Sequence, residues 1–267
     1  AVFGVATLTR AVFLLYPVAL AIFLGWIGRR RAVRHAAILL AVYAGVVLSY
    51  TAYNLIRFNE WVIGAQGITS FVYMGARGWS GPEGMDEQIL EDVPEHAEAD
   101  PNLNNRDPAL IEGTLRVITG DPLGYAWRRV SELGGAYLQP HGTVLYPGES
   151  IKDLAQGWLT EDRSLNGLVR IVRGDWFWPK LALYVFHGVA LLFGAAGIWL
   201  TRDRWPLMLP LAGFIAYLTL VHLVLMVTPR YLFPLEPILV VFAACALWTF
   251  WQGWRAQRTA RSAGYSA

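Results

Sequence analysis

Apolar residues in this chain gather into long runs instead of alternating with polar ones. About 20 consecutive apolar residues cross a bilayer core as helix. Five stretches qualify or come close: 11–27, 36–56, 181–201, 205–228 and 231–254. The first is the shortest and borrows Gly28 and part of the preceding turn. Residues 1–8 (AVFGVATL) read as the stump of a truncated sixth helix. One such run fits the core of a large soluble protein, but five in one chain predict an all-α polytopic membrane protein. The expected layout is membrane helices over 1–57, a mostly helical extracytoplasmic cap over 58–176, three membrane helices over 177–254 and a cytoplasmic tail over 255–267.

Composition and charge sharpen that layout. Hydrophobic residues make up 55% of the 267 residues and charged residues only 16%, against roughly a quarter charged in a soluble domain. Of the 20 acidic residues, 18 lie between Glu60 and Asp175. Across 58–176 they face 9 Lys and Arg, whereas the remainder holds 13 Lys and Arg against 2 acids. A net charge of +2 therefore hides an acidic water-facing part and a basic membrane part. An ordinary cytosolic enzyme, a disordered chain and a nucleic-acid binder do not fit. The one cysteine, Cys245, sits in an apolar run, where it forms no intrachain disulfide and reads as a helix-filling thiol. No basic stretch precedes an apolar one at Ala1, so the start does not resemble a signal peptide and reads as mid-protein.

Orientation follows from the short loops, which keep Arg and Lys on the cytoplasmic side. Arg29, Arg30, Arg31 and Arg34 follow the first span, Arg202 and Arg204 join the third to the fourth, and Arg255, Arg258 and Arg261 follow the fifth. Alternating helices bring all three clusters to one side, assigned to the cytoplasm. Residues 58–176 and the Pro229-Arg230 turn then face outward, and the chain is expected in the plasma (inner) membrane. Trp176, Trp178, Trp205, Trp251 and Trp254 fall at span ends, where interfacial aromatics anchor helices.

The outer segment is too long for a bare loop. Asp107-Pro108 and Asp121-Pro122 each place a capping residue before a proline at the first helical position. After the first, Leu110, Ile111, Leu115 and Ile118 share a face; after the second, Leu123, Trp127, Val130, Leu133 or Gly134, and Tyr137 do. Ser164 is a candidate cap for a third helix carrying Leu168, Ile171 and Val172. The Pro-, Gly- and acid-rich stretch 75–106 reads as a mobile loop, and its Asp86, Glu87, Glu91 and Asp92 as a solvated charge run rather than a cation site.

Ionisable groups near membrane depth are costly and so become functional candidates. Arg10 lies at the outer end of the first full helix, Arg57 ends the second on the same side, and Arg230, followed by Tyr231, opens the fifth. Three guanidiniums converging at the outer boundary would clamp a phosphate bidentately; the plainer alternative is snorkelling to lipid head groups. Glu236 either pairs with Arg230 or lines a polar cavity. His187 and His222 sit in apolar helices, as interhelical hydrogen-bond partners rather than ligands. Neither has a partner at metal-ligand spacing, so no metal site is expected.

At these residues the chain resembles the C-terminal half of the polytopic GT-C glycosyltransferases of the protein O-mannosyltransferase and lipid A aminoarabinose-transferase type. Four blocks carry the resemblance in order. Residues 4–10 (GVATLTR) are similar to the family's Gly-x-Ala-x-Leu-Thr-Arg. Residues 53–62 (YNLIRFNEWV) resemble its Arg-Asn-Tyr-x-x-Phe-Gly-x-Phe-Val, with Tyr53 in place of Arg and Asn59 in place of Gly. The amphipathic helix after Asp121-Pro122 is the third. Residues 222–237, His222 through Pro229-Arg230-Tyr231-Leu232-Phe233-Pro234-Leu235-Glu236-Pro237, are similar to His-x(n)-Pro-Arg-Tyr-x-x-Pro-x-x-Pro and are the most specific. The polar, Gly-rich stretch that follows the second block in the family is poorly kept at Gln66-Gly67-Ile68.

The resemblance implies sugar transfer from a polyprenyl-phosphate sugar to an acceptor glycan, lipid or protein at the outer face. It also implies that the catalytic Asp lies in a loop upstream of Ala1, which leaves this chain inactive alone. Arg10 and Arg230 would bind the donor phosphate with Tyr231 beside them, and Asn54, Arg57, His222 and Glu236 would line the cavity. Membrane lipid and the lipid-linked donor are the expected partners, with no nucleic acid and no cofactor beyond the donor; metal dependence stays open. The competing reading is a non-catalytic multi-pass membrane subunit whose external domain binds a partner. A transporter is a third, without the paired broken helices of inverted repeats.

Overall fold

A computed structural model describes residues 1–27, 30–63, 68–78, 87–89, 91–95 and 107–264. Among them the chain is helical without a strand. Gly28, Arg29, Gln66, Gly67, Asp86 and most of the stretch expected as a mobile loop lie outside the described residues. Helices α1 to α12 cover Val2–Thr9, Tyr16–Ile27, Arg30–Phe58, Ile68–Arg77, Asp107–Gly120, Pro122–Leu138, Ile151–Thr160, Leu165–Val172, Phe177–Leu200, Trp205–Val224, Pro229–Leu232 and Glu236–Gly264. Four stretches are long and apolar enough to cross a membrane: Arg31–Phe58, Phe177–Leu200, Arg202–Val224 and Pro229–Arg258.

The 11–27 stretch is not one continuous helix. It opens with a 3-10 turn at Ala11–Phe13, and α2 has only 12 residues, about 18 Å of rise. Pro17 explains where α2 begins: proline has no N–H to give and is tolerated only in the first turn, so helix cannot run through it from residue 10. The 1–8 stump is a separate helix, α1, which ends at Arg10 in extended backbone.

Two compact units divide the chain: Ala1–Leu133 with Ala212–Val227, and Gly134–Leu211 with Thr228–Ala267. In the first, α1 and α2 both pack on α3. Gly4 lets α1 approach Val46, where an added Cβ would stand 2.7 Å from the Val46 Cβ. Helix α3 ends at Asn59, whose φ of 56° is the left-handed conformation Asn shares with Gly; the Gly-to-Asn departure in the second block is therefore neutral to the backbone. Outside α3, Tyr73, Ile89, Ala109 and Leu110 form a core with 0–1% exposure. The Tyr73 hydroxyl donates to Asp92 at 2.7 Å, and Arg77 pairs with Glu91 and Asp92. Burial, reinforced by that bond, pushes the Tyr73 hydroxyl pKa up. Glu91 and Asp92 are thus paired with Arg77, and Asp92 also with Tyr73, instead of forming the freely solvated charge run expected. Two of the three expected caps form: Asp121 accepts from the Gly124 N–H, and Ser164 from that of Gly167, whereas the Asp107 carboxylate accepts from the Thr69 hydroxyl.

The second unit is built on α9 against α12. Buried Lys180 donates to the carbonyls of Pro147, Gly148 and Glu149 at 2.8–3.1 Å, fastening the preceding loop to the start of α9. Arg202, Arg255 and Arg258 lie over the Trp199, Trp251 and Trp254 rings, their guanidiniums 3.7–4.4 Å from the centroids. Gly194 and Gly197 face the backbone of α12, close enough that a Cβ on Gly197 would collide with the Phe242 carbonyl. Small residues at such a seam let two backbones meet. Gly197→Val should therefore destabilise the pair by about 1–3 kcal/mol, read as a lowered melting temperature in detergent. Gly188→Val, whose Cβ meets nothing within 4 Å, should leave it unchanged.

Candidate functional site

The break between α1 and α2 exposes backbone groups that a continuous helix would have paired among themselves. Two phenols take them up. The Tyr43 hydroxyl of α3 donates to the Leu14 carbonyl at 2.8 Å and sits 3.3 Å from the Thr7 hydroxyl. The Tyr217 hydroxyl of α10 donates to the Val12 carbonyl at 2.6 Å and accepts from the Leu15 N–H at 3.2 Å. Tyr16 packs edge-on against Phe214 and Phe3, closing the same pocket of chain with rings.

Arg10 sits in this break, partly buried. Among the described residues its guanidinium makes no hydrogen bond or ion pair. Counting rise from the start of α3 puts Tyr43 about 20 Å along that helix. The same count puts Tyr217 about 18 Å along α10. The break that carries Arg10 therefore lies well inside the length of α3, not at the outer end of a full helix. Arg57 is exposed in the last turn of α3, about 20 Å further along that axis than Tyr43. The expected convergence of Arg10 with Arg57 does not occur, because the broken segment leaves Arg10 a long way short of the end of α3. Asn54 is buried, its amide donating to the Tyr50 carbonyl at 3.0 Å.

His222 is buried in the last turn of α10, with Nδ1 3.2 Å from the Met226 carbonyl. The charges of Arg129 and Arg10 both bear on its ring. Arg129 went unnoticed in the sequence and is the most deeply buried charge among the described residues, at 1% exposure. Its guanidinium donates to the carbonyls of Leu223 at 3.1 Å, His222 at 2.8 Å and Leu225 at 2.5 Å, and pairs with Glu132. The last carbonyls of a helix lack intrahelical donors and carry its negative dipole end. Arg129 supplies both donors and positive charge. Burial pushes the Arg129 pKa below its ordinary value, and Glu132 opposes that. Alongside, Gly75 lies against this turn, where a Cβ would stand 2.5 Å from the Val224 carbonyl, and the Met226 N–H donates to Phe71.

In the second unit Glu236 pairs with His187, not Arg230. His187 Nδ1 is 3.0 Å from the Glu236 carboxylate and Nε2 is 2.7 Å from the Tyr137 carbonyl. Both face a cavity of about 10 Å³, room for roughly one water, whose walls include Gln139, His141, Leu232 and Phe233. Arg230 is exposed, and Tyr231 half-buried, in the short helix α11. Among the described residues no group of three His, Cys, Asp or Glu gathers at metal-binding distance. No protein-family model, curated protein or solved structure matches the chain, so the family resemblance rests on its four sequence blocks.

Replacing Arg129 by Met would leave the Glu132 carboxylate without its cation and three carbonyls without donors. A loss of about 3–5 kcal/mol is expected, measured as a lower melting temperature with faster amide exchange over 222–227. Arg129→Lys should not restore it, since one ammonium cannot reproduce the planar fork. An unchanged melt would mean that solvent satisfies these carbonyls.

Proposed function

We propose that this chain is the donor-phosphate-binding, C-terminal part of a membrane glycosyltransferase that moves a sugar from a polyprenyl-phosphate donor to an acceptor at the extracytoplasmic face. In this reading α3, α9, α10 and α12 each cross the plasma membrane, and α1 with α2 makes a fifth, discontinuous crossing. The helices between 58 and 176 lie outside as a cap, and the basic clusters lie inside. One observation supports it best: Arg10, half-buried at a helix break between apolar segments, has no counter-charge among the described residues. A guanidinium within lipid is costly without an anion. A lipid phosphate accepts its hydrogen bonds bidentately.

The chemistry asks for that charge. The acceptor hydroxyl oxygen forms a bond to the anomeric carbon while the bond from that carbon to the phosphate oxygen breaks. The lipid phosphate leaves with the electron pair, and Arg10 stabilises the charge it carries. The hydroxyl proton goes to a carboxylate base. Arg230 and Tyr231 enter the proposal as further donor-phosphate ligands on the strength of the fourth sequence block.

A second reading, a binding subunit without catalysis, draws on α6, where Leu123, Trp127 and Val130 form an apolar stripe with 83%, 75% and 56% exposure. The two readings part at Arg10, since a binding subunit has no use for lipid phosphate. The native polypeptide in nanodiscs, titrated with a polyprenyl monophosphate, should bind it. Arg10→Ala should weaken binding at least about tenfold, the loss of one charge-assisted contact. Equal affinity in both would end the phosphate assignment. In the full-length protein Arg230→Ala should cut transfer strongly with membrane insertion intact, and unchanged transfer would remove Arg230 from the mechanism.

A further inference from the structure

Helix α8, Leu165–Val172, carries an apolar face with little to cover it. Leu165 is 80% exposed, and Leu168 and Val169 are also exposed. With Val172 they occupy positions i, i+3, i+4 and i+7, one stripe of a helix. Asn166 and Arg170 lie on the opposite side. In a water-exposed loop this stripe would be a liability, because nothing offsets the cost of hydrating it.

The chain restricts where α8 can be. Only residues 173–176 separate it from α9, so the gap spans at most about 14 Å. The turn is tighter than that limit. The Arg173 N–H donates to Val169, that of Gly174 to Ile171 and that of Phe177 to Gly174, each at 3.0–3.1 Å. Trp176 and Trp178, both exposed, mark the end of α9 as an interfacial belt does. The helix is also held firmly: Ser164 caps it, the Trp158 indole donates to the Ser164 carbonyl at 2.9 Å, and a Cβ on Gly167 would press on Asp162. The Asp162 pKa is lowered by its bonds from Ser164.

We propose that α8 is an in-plane membrane anchor: Leu165, Leu168 and Val169 enter the leaflet at the start of α9 among phospholipid acyl chains, and Arg170 stays at the water side. A short helix with a sharp apolar face, fixed within reach of a bilayer surface, meets the requirements of an interfacial helix. Arg163, Arg170 and Arg173 are balanced by Glu161, Asp162 and Asp175 in the same stretch. Apolar insertion therefore drives the contact, and anionic lipid is not required. The inference needs only that α9 crosses a bilayer and stands independently of the transferase reading.

The test uses the full chain carrying Cys245→Ser, with a single cysteine at Leu168 or at Arg170 labelled with an environment-sensitive fluorophore. Both proteins are reconstituted in phosphatidylcholine vesicles, with and without phosphatidylglycerol. The probe at 168 should emit at shorter wavelength and be quenched severalfold more by lipids spin-labelled near the head group than the probe at 170. The difference should persist in high salt and in both lipid compositions. A probe at 168 that aqueous iodide quenches as fully as the probe at 170 overturns the proposal. So does one that is blue-shifted but untouched by spin-labelled lipid, which would mean that protein, from this chain or a second copy, covers the face. A repeat with the label at Leu165, the most exposed of the three, guards against a local disturbance at 168.

Discussion

Much of the first unit depends on one buried guanidinium. A helix that stops inside or near a low-dielectric layer leaves carbonyls that water cannot reach freely, and each unpaired one costs free energy. Helix α10 stops at Val224, and Arg129 from α6 meets the carbonyls of its last turn from outside the helix. The desolvation cost of the charge is offset by those bonds, by the dipole at the helix end and by Glu132. Without that arrangement the turn after His222 would keep only the Met226 bonds to Phe71 and His222 and the close approach of Gly75.

The two units solve the problem of packing apolar helices differently. In the second, glycines at 194 and 197 let α9 and α12 meet backbone to backbone, so the contact is broad and contains little polarity. In the first, the backbone is interrupted at residues 10–15 and its loose ends are tied by tyrosine hydroxyls from α3 and α10. Irregular backbone between apolar helices is tolerated where protein satisfies it. A break is also where a charged side chain can be presented from the middle of an apolar element, and Arg10 occupies that place.

The sequence was most informative where a single physical requirement repeats along the chain. Long apolar runs marked α3, α9, α10 and α12, and Asp121 and Ser164 marked helix starts through the N–H groups they accept from. It was least informative where meaning depends on distant partners. Arg129 follows Trp127 and Arg128 on an amphipathic helix, where it reads as part of a solvated polar face; only the end of α10, over 90 residues away, makes it a cap. Glu236 has Arg230 nearby in sequence, yet pairs with His187, 49 residues away. The break before α2 escaped because residues 11–15 stay apolar, and hydropathy does not register a change of backbone. Pro17 was its one visible sign.

The phenols that hold the break come from two different helices, Tyr43 from α3 and Tyr217 from α10, and each bond is near its optimal length. Such bonds weaken steeply with misalignment. The segment bearing Arg10 is thus suspended like a bridge deck between two piers: a slide of α10 along α3 by even a fraction of a helical turn would pull the deck with it or drop one side. The position of the charge at the break is thereby set by the spacing of two helices to which it does not itself belong.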